Sequence, residues 1–119
     1  MEEYIMTIDE GTTSARAVLF NKDSEIIAMC SKEFAQYYPQ PGWVEQDPKE
    51  IWLTTKEVIN KVVADSGIDP KQIKAAGITN QRETVVVYDK NTGEPVYNAI
   101  GWADRRTAPY CDELKASGK

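Results

Sequence analysis

A chain of 119 residues with a net charge of −5 is long enough for one domain with its own core, and its acidic balance excludes the basic face that nucleic-acid binding needs. Histidine is absent, which removes Ser-His and Cys-His catalysis and the common zinc sites, while Cys30 and Cys111 stand far apart without metal-ligand spacing. No apolar run approaches the ~20 residues of a membrane helix, and the acidic opening "MEEYIMTID" runs straight into strand pattern rather than a signal peptide, so the expectation is a reduced, cytoplasmic domain with no membrane span and no nucleic-acid partner.

Tyr4 to Ile8 is a short β-rich run that ends at Asp9-Glu10-Gly11. Ser14 to Phe20 and Glu25 to Phe34 follow, separated by the turn formers of Asn21-Lys22-Asp23, and the three runs predict antiparallel strands joined by tight turns. Pro39, Pro41 and Gly42 then predict an extended, ordered loop. It reads either as a proline-rich ligand for another domain or as a loop pinned over the core by Tyr37, Tyr38 and Trp43. Asp47 can cap a helix with Pro48 in its first position and Glu50 placed for a capping box. Ile51, Trp52, Val58, Ile59, Val62 and Val63 form its expected apolar stripe, and Gly67 its stop. Ile73 to Asn80 reads as a buried strand, with the helix as the crossover that a parallel or mixed sheet requires. A second hairpin turning at Asn91-Thr92-Gly93 and a final helix after Arg105 complete the chain, with no repeat and no linker.

Three constellations could carry chemistry. Asp9-Glu10-Gly11-Thr12-Thr13-Ser14 is neither a P-loop nor a dinucleotide fingerprint. It offers turn amides at a glycine, three hydroxyls and a carboxylate at a strand end. Such a turn can form a concave anion site, and the acid can hold magnesium through its waters. Arg16 lies two residues beyond Ser14 and so shares its strand face. The same residues also suit a plain hairpin whose hydroxyls bond their own backbone.

The second group is Asn80-Gln81-Arg82-Glu83, four polar residues at a strand end, where open α/β sheets place ligands. An arginine fork beside a carboxylate matches a vicinal diol, provided the chain bends so that both neighbours reach one ligand. A solvated ion pair is the alternative. The third is "GWADRRTA", where Trp102 can cover C–H groups beside a charged shelf of Asp104, Arg105 and Arg106. Its alternative is a buried tryptophan ahead of a helix capped by Asp104.

Taken together, "DEGTTSARAVLF", "YPQPGWVEQDPKEIW", "GITNQRET" and "YNAIGWADRRTA" resemble the N-terminal part of the glycerol kinases, almost continuously along the chain. The resemblance implies an α/β, ribonuclease-H-like (actin-like ATPase) fold. Its mixed sheet has antiparallel N-terminal strands and flanking helices, with residues 1–119 as an incomplete first kinase domain. It implies ATP and Mg²⁺ as cofactors and glycerol as substrate, with γ-phosphoryl transfer giving sn-glycerol 3-phosphate. By position, Asp9 would hold Mg²⁺ through water, and Gly11, Thr12, Thr13, Ser14 and Arg16 would face the phosphates. Arg82 and Glu83 would bond the glycerol hydroxyls, and Trp102 would pack on its carbons. The general base, an aspartate, is expected beyond Lys119, so the chain alone is expected to be inactive and the full-length protein to be a homo-oligomer. Other expectations are a different polyol or sugar kinase of the superfamily, or a non-catalytic binding module. The family usually has Gln at Glu10, a bulkier residue at Gly101 and Gln at Ala103. An acid at position 10 should weaken anion binding unless it points away, and positions 101 and 103 should shape the pocket rim.

Overall fold

The computed structural model describes residues 2–118. The chain forms two compact units, one of residues up to Ala35 together with Lys49–Gln81, the other of Gln36–Pro48 together with residues from Arg82 onward.

The first unit contains strands β1 (Tyr4–Glu10), β2 (Ser14–Asn21) and β3 (Ile26–Glu33), then helix α1 (Pro48–Ser66), whose first residue belongs to the other unit, and strand β5 (Ile73–Thr79). The sheet order is β3-β2-β1-β5. The first three strands are antiparallel, whereas β5 runs parallel to β1, so α1 is the crossover that parallel pairing demands. The core joins Met6 of β1 and Ala15, Ala17 and Leu19 of β2 to Val58 and Val62 of α1. Alanines at 15 and 17 leave room for the helix to lie close on the sheet, and Leu19 fills what remains. Gly67 has φ +71°, the left-handed conformation that ends a helix.

Two expectations are corrected here. Trp52 is not on the buried stripe: it is 59% exposed, while Thr54, Thr55, Val58 and Val62 face inward. That inward face is set by i, i+4 spacing from Thr54 and Thr55 onward, and Trp52 falls outside it, with Lys56 5.9 Å from its ring centroid. The strand over Ile73–Thr79 is real but not buried, and Ile78 is 71% exposed. β5 is an edge strand whose other edge has no partner among the described residues.

In the second unit the short strands β4 (Glu45–Gln46) and β6 (Ala99–Ile100) pair antiparallel, and helix α2 spans Ala108–Ala116. The expected second hairpin exists as isolated bridges, Val85 to Ile100 and Tyr88 to Pro95, around a turn in which Gly93 N–H donates to the Asp89 carbonyl. The loop before β4 is not pinned by all three aromatics, since Tyr38 is 68% exposed. Trp43 is the half-buried one, and the Arg106 guanidinium stacks 3.8 Å from its ring centroid. No helix among the described residues is long and apolar enough to cross a membrane.

Leu19→Ala opens a cavity in the fully buried centre of this sheet and is expected to cost about 2–5 kcal/mol of unfolding free energy in a urea titration. Trp52→Ala, on the exposed face, is expected to change the same quantity by no more than about 1 kcal/mol.

Candidate functional site

Successive residues of a strand face opposite ways, so β1 must separate Asp9 from Glu10. Glu10 shares the face of Met6 and turns toward α1, where its Oε1 lies 2.7 Å from Thr55 Oγ1. Asp9 is exposed on the other face and pairs directly across from Arg16 of β2. Directly opposed antiparallel residues share a face. The acid, the arginine and Ser14 (two residues back along β2) therefore belong to one side of the sheet. Thr79 of β5 is the parallel partner of Asp9, so the carboxyl ends of β1 and β5 meet at the same edge.

Between Glu10 and Ser14 the chain turns within Gly11-Thr12-Thr13. Gly11 N–H donates to the Ser14 carbonyl at 2.9 Å, and a Cβ on Gly11 would stand 3.0 Å from that same oxygen. A side chain at this position would therefore push the turn open by a few tenths of an ångström. Thr13 is exposed, and its carbonyl accepts from Phe34 N–H at 3.1 Å, anchoring the turn to the end of β3. The turn is a hairpin and also presents hydroxyls on an exposed rim, so the two readings of this stretch do not exclude one another.

Thr55 Oγ1 also lies 2.8 Å from the Ile51 carbonyl. One hydroxyl proton thus serves two acceptors. Glu10 Oε2 is buried with no hydrogen-bond partner, an orphan that ordinarily costs stability.

In the second unit, Arg82 and Glu83 form a turn, and Glu83 has φ +66°. This is the bend that two adjacent side chains need to approach one ligand. Trp102 is 56% exposed, not buried, with its N–H donating to Thr84 Oγ1 at 3.2 Å. Gly101 is buried, and a Cβ there would lie 3.3 Å from Val44 Cγ1, so position 101 faces the packing beneath the turn rather than a rim.

Asp104 and Arg106 are not an open shelf, and Asp104 does not cap α2, whose N-cap is Thr107. Asp104 accepts from Val44 N–H at 2.7 Å and from Arg106 Nη2 at 2.8 Å. Arg106 Nη2 also donates to Glu45 Oε2 at 2.8 Å, and buried Glu45 accepts from Tyr97 Oη and Asn98 Nδ2 as well. Hydrogen bonds from the Arg106 side chain hold the Asp104 carboxyl at about 2 against the opposing effect of burial, and they push Arg106 upward in return. Burial pushes Glu45 up, but its bonds from Arg106, Tyr97 and Asn98 together outweigh that and leave it below its ordinary value. Glu45, Thr55 and Thr84 were not singled out by sequence reasoning. Nothing in local spacing marks Glu45 as buried, Thr55 as a donor to Glu10, or Thr84 as an acceptor.

Residues 4–119 match the model of the N-terminal domain of the FGGY family of carbohydrate kinases. The chain belongs to that family. It is 58% identical over 117 residues to glycerol kinase from Chromobacterium violaceum, covering 98% of this chain and 23% of that protein. Glycerol kinase 2 of Thermotoga maritima is 56% identical over 116 residues, again 98% of this chain and 23% of the relative. Among solved structures, gluconate kinase from Lactobacillus acidophilus superposes with a TM-score of 0.90 at 27% identity over 99% of this chain and 23% of that one. Plasmodium falciparum glycerol kinase with ADP gives 0.86 at 32% identity over 97% of this chain and 23% of that one. The chain thus spans about a quarter of these carbohydrate kinases, and the mixed sheet expected of an actin-like ATPase fold is the one it forms.

Two outcomes follow for this carbohydrate-kinase domain. Glu10→Gln lets an amide donate to Thr55 and frees the threonine proton for Ile51, so it is expected to raise unfolding free energy by about 1 kcal/mol in denaturant titration. Asp104 has a folded value of about 2 against an ordinary 3.8, so its stabilisation is complete above 3.8 and is lost as pH falls toward 2. Asp104→Asn is expected to flatten the melting-temperature profile across that window.

Proposed function

We propose that this chain supplies the phosphate-facing turn and part of the polyol-binding surface of an ATP-dependent glycerol kinase. The kinase transfers the γ-phosphoryl group to glycerol to give sn-glycerol 3-phosphate. The observation that carries the reading is the face separation on β1. Asp9 stands across from Arg16 beside the Gly11–Ser14 turn, while Glu10 is turned away beneath the sheet. An acid at position 10 therefore does not oppose an anion at the turn.

In this reading the amide and hydroxyl donors of Thr12, Thr13 and Ser14, with Arg16, orient the phosphate oxygens and offset their charge. Asp9 is an exposed carboxylate at the end of β1, a hard oxygen donor that suits Mg²⁺ held through water. When bound, the ion supplies charge neutralisation on the phosphates. Arg82 donates to, and Glu83 accepts from, the glycerol hydroxyls, and exposed Trp102 covers the carbon chain. The general base is expected on a part of the kinase outside this chain, which acts in the cytoplasm.

A second reading, a kinase for a longer polyol or sugar, draws on the gluconate kinase and on xylulose kinase from Lactobacillus acidophilus, which superpose with TM-scores of 0.90 and 0.89. Their identities of 27% and 28% stand below the 56–58% of the two bacterial glycerol kinases and the 32% of the Plasmodium falciparum one, which favours glycerol. A binding module using the Tyr/Pro/Trp loop is disfavoured because Trp43 is already stacked under Arg106.

Glycerol-dependent ADP release by the full-length protein tests the reading, with erythritol and xylulose as competitors. Arg82→Ala is expected to raise the KM for glycerol at least about tenfold, and residues 1–119 alone to show no turnover. An unchanged KM in Arg82→Ala, or preference for a longer polyol, refutes it.

A further inference from the structure

Val85 and Ile100 exchange both backbone hydrogen bonds, Val85 N–H to the Ile100 carbonyl at 3.0 Å and Ile100 N–H to the Val85 carbonyl at 2.9 Å. In an antiparallel ladder the next such pair lies two residues further along each strand. That position sets Glu83 opposite Trp102. Glu83, however, has φ +66° and has left the extended conformation that the rung requires. The Trp102 N–H donates to the Thr84 side-chain hydroxyl at 3.2 Å. A hydroxyl thus serves as the acceptor where the register would supply a backbone carbonyl.

We propose that Thr84 is a positioning residue for the small polyol: its hydroxyl replaces a ladder rung, keeping Trp102 opposite Glu83 while leaving Glu83 free to turn. The inference rests on the reading that Arg82, Glu83 and Trp102 hold the polyol. A left-handed glutamate is strained and persists only where its surroundings over-determine it. The flanking constraints are unequal. On one strand, Gly101 N–H is fixed to the Val44 carbonyl at 2.9 Å and Asp104 N–H to the Gly101 carbonyl at 3.0 Å, so the Trp102 turn is tied down on both sides. On the other strand, the Thr84 hydroxyl joins the Glu83 turn to it by accepting from the Trp102 backbone N–H. Without the hydroxyl, the Trp102 N–H loses this acceptor and the gap between Glu83 and Trp102 is no longer set. The polyol then meets its carboxylate and its apolar wall out of register, while groups on other elements are untouched.

The test is steady-state kinetics of the full-length protein with Thr84→Val, which keeps the shape and removes the acceptor, and Thr84→Ser, which keeps the acceptor. Thr84→Val is expected to raise the KM for glycerol about tenfold with the KM for ATP unchanged, and Thr84→Ser to stay within about twofold of the parent on both. An unchanged glycerol KM in Thr84→Val overturns the proposal. So does equal damage by the serine variant, a parallel rise in both KM values, or loss of the folded circular-dichroism spectrum. Arg82→Ala in the same series separates the two claims. If it raises the glycerol KM and Thr84→Val does not, only the positioning role fails. If it does not, the polyol reading itself fails.

Discussion

Alternation along β1 is the constraint on which the first unit depends. Two acids in succession at a strand end cannot share a face. Because Met6 is committed to the core under α1, Glu10 must follow it inward and Asp9 must face out. The antiparallel register then decides what each acid meets: Arg16 stands across from Asp9, and buried Ala15 across from Glu10. A slip of one residue would exchange these faces, placing the exposed acid inside and the wrong residue beside the turn. The core that fixes the register is small but sharply defined, since alanines at 15 and 17 admit the helix and Leu19, Val58 and Val62 lock it.

The second unit depends on a different device. Its strands are short, and a network of charged side chains reinforces their few backbone pairs. Arg106 joins Asp104, Glu45 and the ring of Trp43, and Glu45 in turn gathers Tyr97 and Asn98. Each charge in this group is satisfied by a partner, which is the condition for burying it at all. The group ties the loop before β4 to the turn carrying Trp102, because Asp104 bonds Val44 N–H and Arg106 together. Exposed Trp102 is thus mounted on a segment held by this network.

Much of the first unit was legible before the structure. β1 to β3, α1 from Pro48 and the crossover to β5 follow from period-two and helical patterning, turn formers and a proline–glycine pair at the helix ends. The misreadings share a cause. Trp52 and Ile73–Thr79 were placed inside because they are apolar, yet burial needs an opposing layer. Asp104 looked like a helix cap because caps are local, but its partners Val44 and Arg106 include one sixty residues away. Likewise the short strands β4 and β6 pair with each other and with Tyr37 and Val85, partners far along the chain or outside any strand, and neither has a local signal.

Sequence by itself determined the candidate chemistry: a glycine turn rich in hydroxyls with an acid and an arginine at fixed spacing, an Arg-Glu pair after an apolar strand, and a tryptophan ahead of a basic run. These are properties of residue type and order, which need no fold to be read. Tertiary structure alone decided the role of Glu10, the bend at Glu83, the burial of Glu45 and the pairing of Asp104 and Glu45 with Arg106. Glu10 meets Thr55 on α1, the Trp102 backbone N–H meets Thr84, and Glu45 meets Arg106, and hydrogen bonds between segments so far apart in the chain are set by register and packing.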